Sequence, residues 1–134
     1  MKILLDTQCW LWMENEPERF APQAMDLLLD PANTLYLSAA SAWEISIKIA
    51  LGKLRLPCAP RDYVQTRMSR EKILPLFIEH EHAILAGSLP SHHRDPFDRM
   101  LVAQALLEKL ALLSADPGLA RYDAHLIRAD GRSR

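Results

Sequence analysis

Short apolar runs alternate along this chain with longer amphipathic stretches. Residues 2–5 form an apolar, β-compatible run ending in Asp6-Thr7, the pattern of a buried strand leading into a helix start. Residues 18–30 carry a helical pattern that Asp30-Pro31-Ala32-Asn33 closes. Thr34-Leu35-Tyr36-Leu37-Ser38 reads as a second strand, and Ser38 to Leu51 as a helix with Gly52 as its C-terminal cap. A polar helix is expected near 61–70, a strand at 73–77, a short helix near 79–86 and a loop from Pro90 to Arg94. Pro75 cannot donate to a ladder, so the strand at 73–77 belongs at a sheet edge or is shorter than drawn. Residues 96–109 are the clearest helix, Leu112-Leu113-Ser114-Ala115 a further strand, and residues 125–128 a last one. Strands alternating with helices predict an α/β protein, its parallel sheet covered on both faces.

No repeat, low-complexity stretch or linker interrupts this pattern. The 134 residues suit one domain with a real core, so residues 1–134 are expected to fold as a unit. Apolar (49%) and charged (25%) contents are those of an ordinary globular protein. No apolar run approaches the ~18 residues of a membrane-spanning helix. The first apolar run stops at Asp6, too early for a signal segment, and the expected location is the cytoplasm. Cys9 and Cys58 are then expected as reduced thiols, and neither belongs to a zinc-binding cluster. His80 and His82, on a polar helix start, read as solvated surface. The net charge of -1 does not mark a nucleic-acid binder, though clustering matters more than the total. Three basic groups stand out: Arg67, Arg70 and Lys72; His92 to Arg94 with Arg99; and Arg128, Arg132 and Arg134. Each taken alone reads as solvated surface.

The acidic residues change the picture. Asp6 and Asp116 directly follow short apolar strands, and open parallel sheets bind ligands beyond the carboxyl ends of their strands. Either acid reads equally well as the N-cap of the next helix. Asp98 sits in a helix that is apolar nearly all round, in one row with Leu101, Val102 and Ala105. A carboxylate facing inward there needs a cation or hydrogen bonds, unless the helix N-terminus satisfies it. Asp95, just before Pro96, reads first as an N-cap. Glu44 lies mid-helix, and by spacing alone its partner is Lys48.

Four converging carboxylates would repel one another and raise their own pKa values unless a hard divalent cation joined them. An all-oxygen ligand set selects magnesium or manganese. Such a metal orients and helps deprotonate a water and neutralises charge on a phosphodiester. A G-x-S-x-G elbow and a Walker A loop are both absent.

The order and surroundings of these acids resemble those of a known family. Leu4-Leu5-Asp6-Thr7, Ser38-Ala39-Ala40-Ser41-Ala42-Trp43-Glu44-Ile45, Asp95-Pro96-Phe97-Asp98-Arg99-Met100-Leu101-Val102-Ala103-Gln104-Ala105 and Leu113-Ser114-Ala115-Asp116 resemble the PIN-domain nucleases. More narrowly they resemble the VapC-type toxins of toxin–antitoxin pairs. The resemblance extends through Lys48-Ile49-Ala50-Leu51-Gly52-Lys53-Leu54 and covers nearly the whole chain. It implies a three-layer, Rossmann-like α/β/α fold and a magnesium- or manganese-dependent endoribonuclease. It also implies inhibition by a cognate VapB-like antitoxin. Family roles map onto Asp6, Glu44, Asp98 and Asp116 as the catalytic, metal-binding acids. Thr7 and Ser114 match nearby hydroxyl positions, and Asp95 belongs to a subgroup signature beside the metal. Family members commonly pair as homodimers; Trp10-Leu11-Trp12-Met13 would serve that contact or the core, with the core favoured. The antitoxin is expected beside the acidic crevice, with an Arg set against the carboxylates.

Two other classes compete. A phosphoacceptor receiver domain would want an adjacent acidic pair early and a late strand-end lysine, whereas Asp6 stands alone and no Lys follows Lys109. A catalytically silent partner-binding module of the same fold is the alternative that metal-dependent cleavage would exclude.

Overall fold

A computed structural model describes residues 1–131. Its sheet contains β1 (Lys2–Leu5), β2 (Thr34–Ser38), β3 (Leu74–Leu76), β4 (Ala111–Ser114) and β5 (Leu126–Arg128), in the order β3-β2-β1-β4-β5. Every pairing is parallel; Ile3 lies opposite Leu35 of β2 on one side and Ala111 of β4 on the other. The chain builds outward from β1 through β2 to β3, then returns to lay β4 and β5 on the opposite side of β1. That reversal opens a crevice beyond the carboxyl ends of β1 and β4.

The alternation within β1 explains its unbroken apolar run. Ile3 and Leu5 enter one core cluster with Trp10, Leu28, Ile45 and Leu113, while Leu4 enters the other with Leu101, Val102, Leu112 and Leu119. Successive strand residues face opposite sides, and both sides of this sheet are covered, so neither parity can be polar. The helices α1 (Thr7–Asn15), α2 (Pro22–Leu29) and α4 (Pro60–Glu71) supply the first layer. The second comes from α5 (His80–Ser88) and α6 (Pro96–Glu108). The remaining helix, α3 (Ala39–Ala50), gives Ile45 to one cluster and Ala40 to the other. This is the expected α/β/α sandwich. Trp10 and Leu11 are buried in the core, and Trp12 and Met13 pack against it.

Local chemistry sets the boundaries. Ser38 Oγ accepts from the Ala40 N–H at 3.0 Å to start α3. Gly52, at φ 73, ends it with a bond to the Ile49 carbonyl, a backbone conformation that favours glycine. β3 lies at the sheet edge, as Pro75 requires. The helix expected over 18–30 is split instead. Pro17–Arg19 form a 3-10 turn, Phe20 and Ala21 are extended (ψ 138 and 151), and α2 starts at Pro22. The residue before a proline avoids helical backbone, while proline suits a first helical position.

Three residues expected on solvated surface prove structural. Arg67 is 2% exposed and lies over the Trp10 ring, 4.2 Å from its centroid. Its guanidinium pairs with Glu14 at 2.7 Å and Glu71 at 2.8 Å, and donates to the Trp10 carbonyl at 2.9 Å and the Tyr63 hydroxyl at 3.1 Å. Arg99 donates to the carbonyls of Ala86, Leu89, Pro90 and His93, tying the end of α5 and the following loop to α6. His82 is buried because α5 packs on α6: Nδ1 accepts from the Glu79 N–H and Nε2 meets Glu108 at 2.8 Å. Arg70, Lys72, His80, His92 and Arg94 are exposed or partly so, as expected, and Arg128 pairs with Asp130 at 3.2 Å. Arg132 and Arg134 lie outside the described residues.

Candidate metal centre

Asp6, Glu44, Asp98 and Asp116 line one open pocket of about 370 Å³, together with Asp95, Gln8 and Lys48. They arrive there from different elements. Asp6 follows β1 and caps α1, with Oδ1 accepting from the Gln8 N–H at 3.0 Å. Asp116 follows β4 and caps the 3-10 turn Pro117–Arg121, with Oδ1 accepting from the Gly118 N–H at 2.8 Å. Cap and pocket residue are not alternatives here: each carboxylate starts the next turn through Oδ1 and still lines the crevice.

Asp95 caps α6 as expected, accepting from the N–H groups of Phe97 at 2.8 Å and Asp98 at 3.3 Å, and still lines the pocket. Asp98, one turn in, has a side chain only 16% exposed. Glu44 is buried and keeps its expected helical partner, with Lys48 Nζ 2.7 Å from Oε2. The Glu44 hydrogen bond and charge raise the Lys48 pKa against the opposing effect of burial.

The two hydroxyl positions differ. Ser114 donates to Asp6 Oδ2 and accepts from the Asp116 N–H at 3.1 Å, so it links the two strand-end acids. Thr7 instead donates to Ser41 Oγ at 2.8 Å, joining α1 to α3, and is not among the residues lining the pocket. Sequence reasoning overlooked His93, treating it as part of a basic surface group. Its Nε2 stands 2.7 Å from Asp116 Oδ2 and 3.4 Å from Asp98 Oδ2. The residue lies in a loop, where no period shows which way a side chain turns.

The electrostatics are those of an unneutralised acidic site. Burial raises the Asp6 pKa, opposed by the Ser114 and Gln8 hydrogen bonds and reinforced by the charges of Glu44 and Asp116. Asp98 is pushed up to about 7, first by burial and then by the charges of Asp6 and Asp95. Burial alone would lower the His93 pKa, but the Asp116 hydrogen bond and the Asp98 and Asp116 charges outweigh it and raise it. His93, Asp98 and Asp116 each bring a donor atom within 4.8 Å of the others. Oxygen donors of one sign, one of them unable to ionise readily by itself, suit a hard divalent cation.

On the other side of the Asp95–Asp98 turn lies an apolar groove of about 250 Å³ between α3, α5 and α6. Trp43 borders it with 62% of its surface exposed, edge-on to Phe97 with ring centroids 5.3 Å apart.

Known proteins resemble the chain at two levels. It is 46% identical over 56 residues to Ribonuclease VapC16 of Mycobacterium tuberculosis, a stretch that covers 42% of this chain and 40% of that protein. Two solved structures share its fold along nearly its full length. VapBC2 from Rickettsia felis, bound to a DNA fragment from their promoter, matches with a TM-score of 0.69 at 15% identity, covering 96% of this chain and 98% of that one. A toxin–antitoxin complex from Klebsiella pneumoniae matches with a TM-score of 0.64 at 17% identity, covering 95% and 97%. At such identities the likeness is one of fold. The family model for the PIN domain matches residues 3–125, a span that takes in β2 to β4, all of β1 but Lys2, and all the acids of the pocket. By that match, with the sheet order and strand-end acids in accord with it, the chain belongs to the PIN-domain family.

Proposed function

We propose that this chain is a metal-dependent endoribonuclease, the toxin of a toxin–antitoxin pair. The observation that carries this reading is the convergence of Asp6, Glu44, Asp98 and Asp116 on one open pocket at the sheet's switch point. The aligned stretch of a named ribonuclease supports it. Asp6, Asp98 and Asp116, with Glu44, would hold magnesium or manganese; the bound ion supplies an activated water and neutralises phosphodiester charge.

The chain's own groups supply orientation. Gln8 and Ser114 fix Asp6, Gly118 and His93 fix Asp116, and the Asp95 cap fixes the first turn of α6 that carries Asp98. Lys48 holds Glu44 at the pocket wall. The substrate is read as RNA, and the whole of residues 1–134 as one catalytic domain. Among the described residues no helix is long and apolar enough to cross a membrane, and the cytoplasm is the compartment this reading assigns.

The purified protein is expected to cleave RNA with magnesium or manganese and to stop when excess chelator is added. Cleavage undiminished by chelator would refute the metal, and no cleavage with either ion would favour a silent binding module.

The VapBC2 structure of like fold supports a VapB-like partner. That partner would set an Arg against the carboxylates, with apolar contacts in the groove beside Trp43 and Phe97. A complex that left the crevice open and fully active would count against this arrangement. A homodimer, carried over from the family, is checked by sedimentation of the isolated chain.

A further inference from the structure

His93 is held in place from several directions. Its main-chain N–H donates to the Tyr122 hydroxyl at 3.0 Å, which itself donates to the Pro90 carbonyl at 2.8 Å. Its carbonyl accepts from Arg99 at 3.2 Å. Its ring lies against Gly118, where a Cβ would come within 3.3 Å of the ring Cδ2 and 3.1 Å of Asp116 Oδ1. The loop is therefore built to present one imidazole at one place.

The hydrogen-bond network also assigns the ring's tautomer. Nδ1 accepts from the Asp95 N–H at 3.2 Å, so its lone pair points there and the ring proton sits on Nε2. Nε2, 2.7 Å from Asp116 Oδ2, is then a donor to that oxygen and has no lone pair free for a metal. To ligate a cation through Nε2, the ring would have to carry its proton on Nδ1, directly facing the Asp95 N–H.

The two strand-end acids are gripped alike. Asp6 takes one main-chain donor, the Gln8 N–H, and one side-chain donor, the Ser114 hydroxyl. Asp116 takes the Gly118 N–H and the His93 Nε2–H. An ionised carboxylate offers about four acceptor positions, so each acid keeps about two for a cation.

We propose that His93 is the positioning residue of Asp116: it sets that carboxylate for the divalent cation by donating from Nε2, and does not itself bind the metal. The role rests on the metal-dependent reading of the pocket. Groups that orient a metal's ligands typically govern affinity by about 10–100-fold.

The test is manganese affinity, read by electron paramagnetic resonance on the intact protein without RNA. His93→Ala is expected to bind manganese about 10–100-fold more weakly than wild type. His93→Gln, whose side-chain amide can donate to the same oxygen, should recover most of that loss. His93→Asn, too short to reach, should not, and it replaces the alanine variant if that one fails to fold by its thermal melt. The bound manganese of the wild type should show no coupling to a directly coordinated nitrogen. Unchanged affinity in the folded loss variants, or a nitrogen in the first coordination sphere, overturns the proposal. A wild type that binds manganese but cleaves no RNA overturns the ribonuclease reading and leaves the role of His93 standing. A wild type that binds no manganese overturns both.

Discussion

Asp98→Asn is expected to lower metal-dependent RNA cleavage by about a hundredfold or more while making the metal-free protein more stable at pH 8. The loss of activity comes from removing one of the charges that would hold the cation. The gain in stability comes from the cost of that same charge when no cation is present. The folded carboxyl is raised from 3.8 to about 7, by burial first and by Asp6 and Asp95 next.

That shift gives the pH dependence a definite sign. Below pH 4, Asp98 is protonated whether the chain is folded or not, and it contributes no difference. Between pH 4 and 7 the unfolded chain releases this proton and the folded protein keeps it, so rising pH favours unfolding. Above pH 7 the penalty is complete, with a ceiling of about 4 kcal/mol that relaxation of the pocket reduces.

Urea unfolding in chelator should therefore show the Asn variant ahead of wild type at pH 8 and level with it near pH 4. Added manganese should reverse the order at pH 8, because it stabilises only a protein that binds it. If Asp98 served merely as a favourable charge at the helix N-terminus, the variant would stay active and lose a little stability. An active, destabilised Asp98→Asn removes Asp98 from the metal centre.

The second large effect concerns stability alone. Arg67→Ala should destabilise the protein by about 3–5 kcal/mol, the cost of leaving partners of a buried ion pair uncompensated. Glu71 and the Trp10 carbonyl would lose their donor, and the Trp10 ring its stacked cation. For a chain of this size the melting temperature should fall by roughly 10–20 °C. Arg67→Lys should recover only part of the loss, because an ammonium cannot span the same set of acceptors as the planar fork. Metal affinity of whatever fraction remains folded should not change, since Arg67 is absent from the acidic pocket. A fall in stability below about 1 kcal/mol, the range of exposed pairs, would mean that the guanidinium is better solvated than its burial indicates.

Sequence by itself determined the elements and much of their arrangement, because those depend on near neighbours. Period and parity placed the five strands. The apolar run Ile3-Leu4-Leu5 of β1 required a sheet covered on both faces, Pro75 required an edge, and Gly52 ended α3. The 18–30 stretch has the period of one helix, although Pro22 carries the signal that divides it. The acids at 6, 44, 95, 98 and 116 were legible as capping or helix-face residues for the same reason: a cap is satisfied within about three residues.

Tertiary structure decided which of those local possibilities also served a site. Asp6 and Ser114 meet across 108 positions, and His93 and Asp116 across 23, distances at which no local pattern specifies a partner. Arg67, His82 and Arg99 looked like solvated polar residues until helix packing closed over two of them and a turn of carbonyls enclosed the third. Thr7, one residue from Asp6, went the other way, since successive helix positions point in different directions and its hydroxyl meets Ser41. Propensity and capping are properties of a few adjacent residues, whereas convergence of charge depends on the path of the whole chain through the sheet.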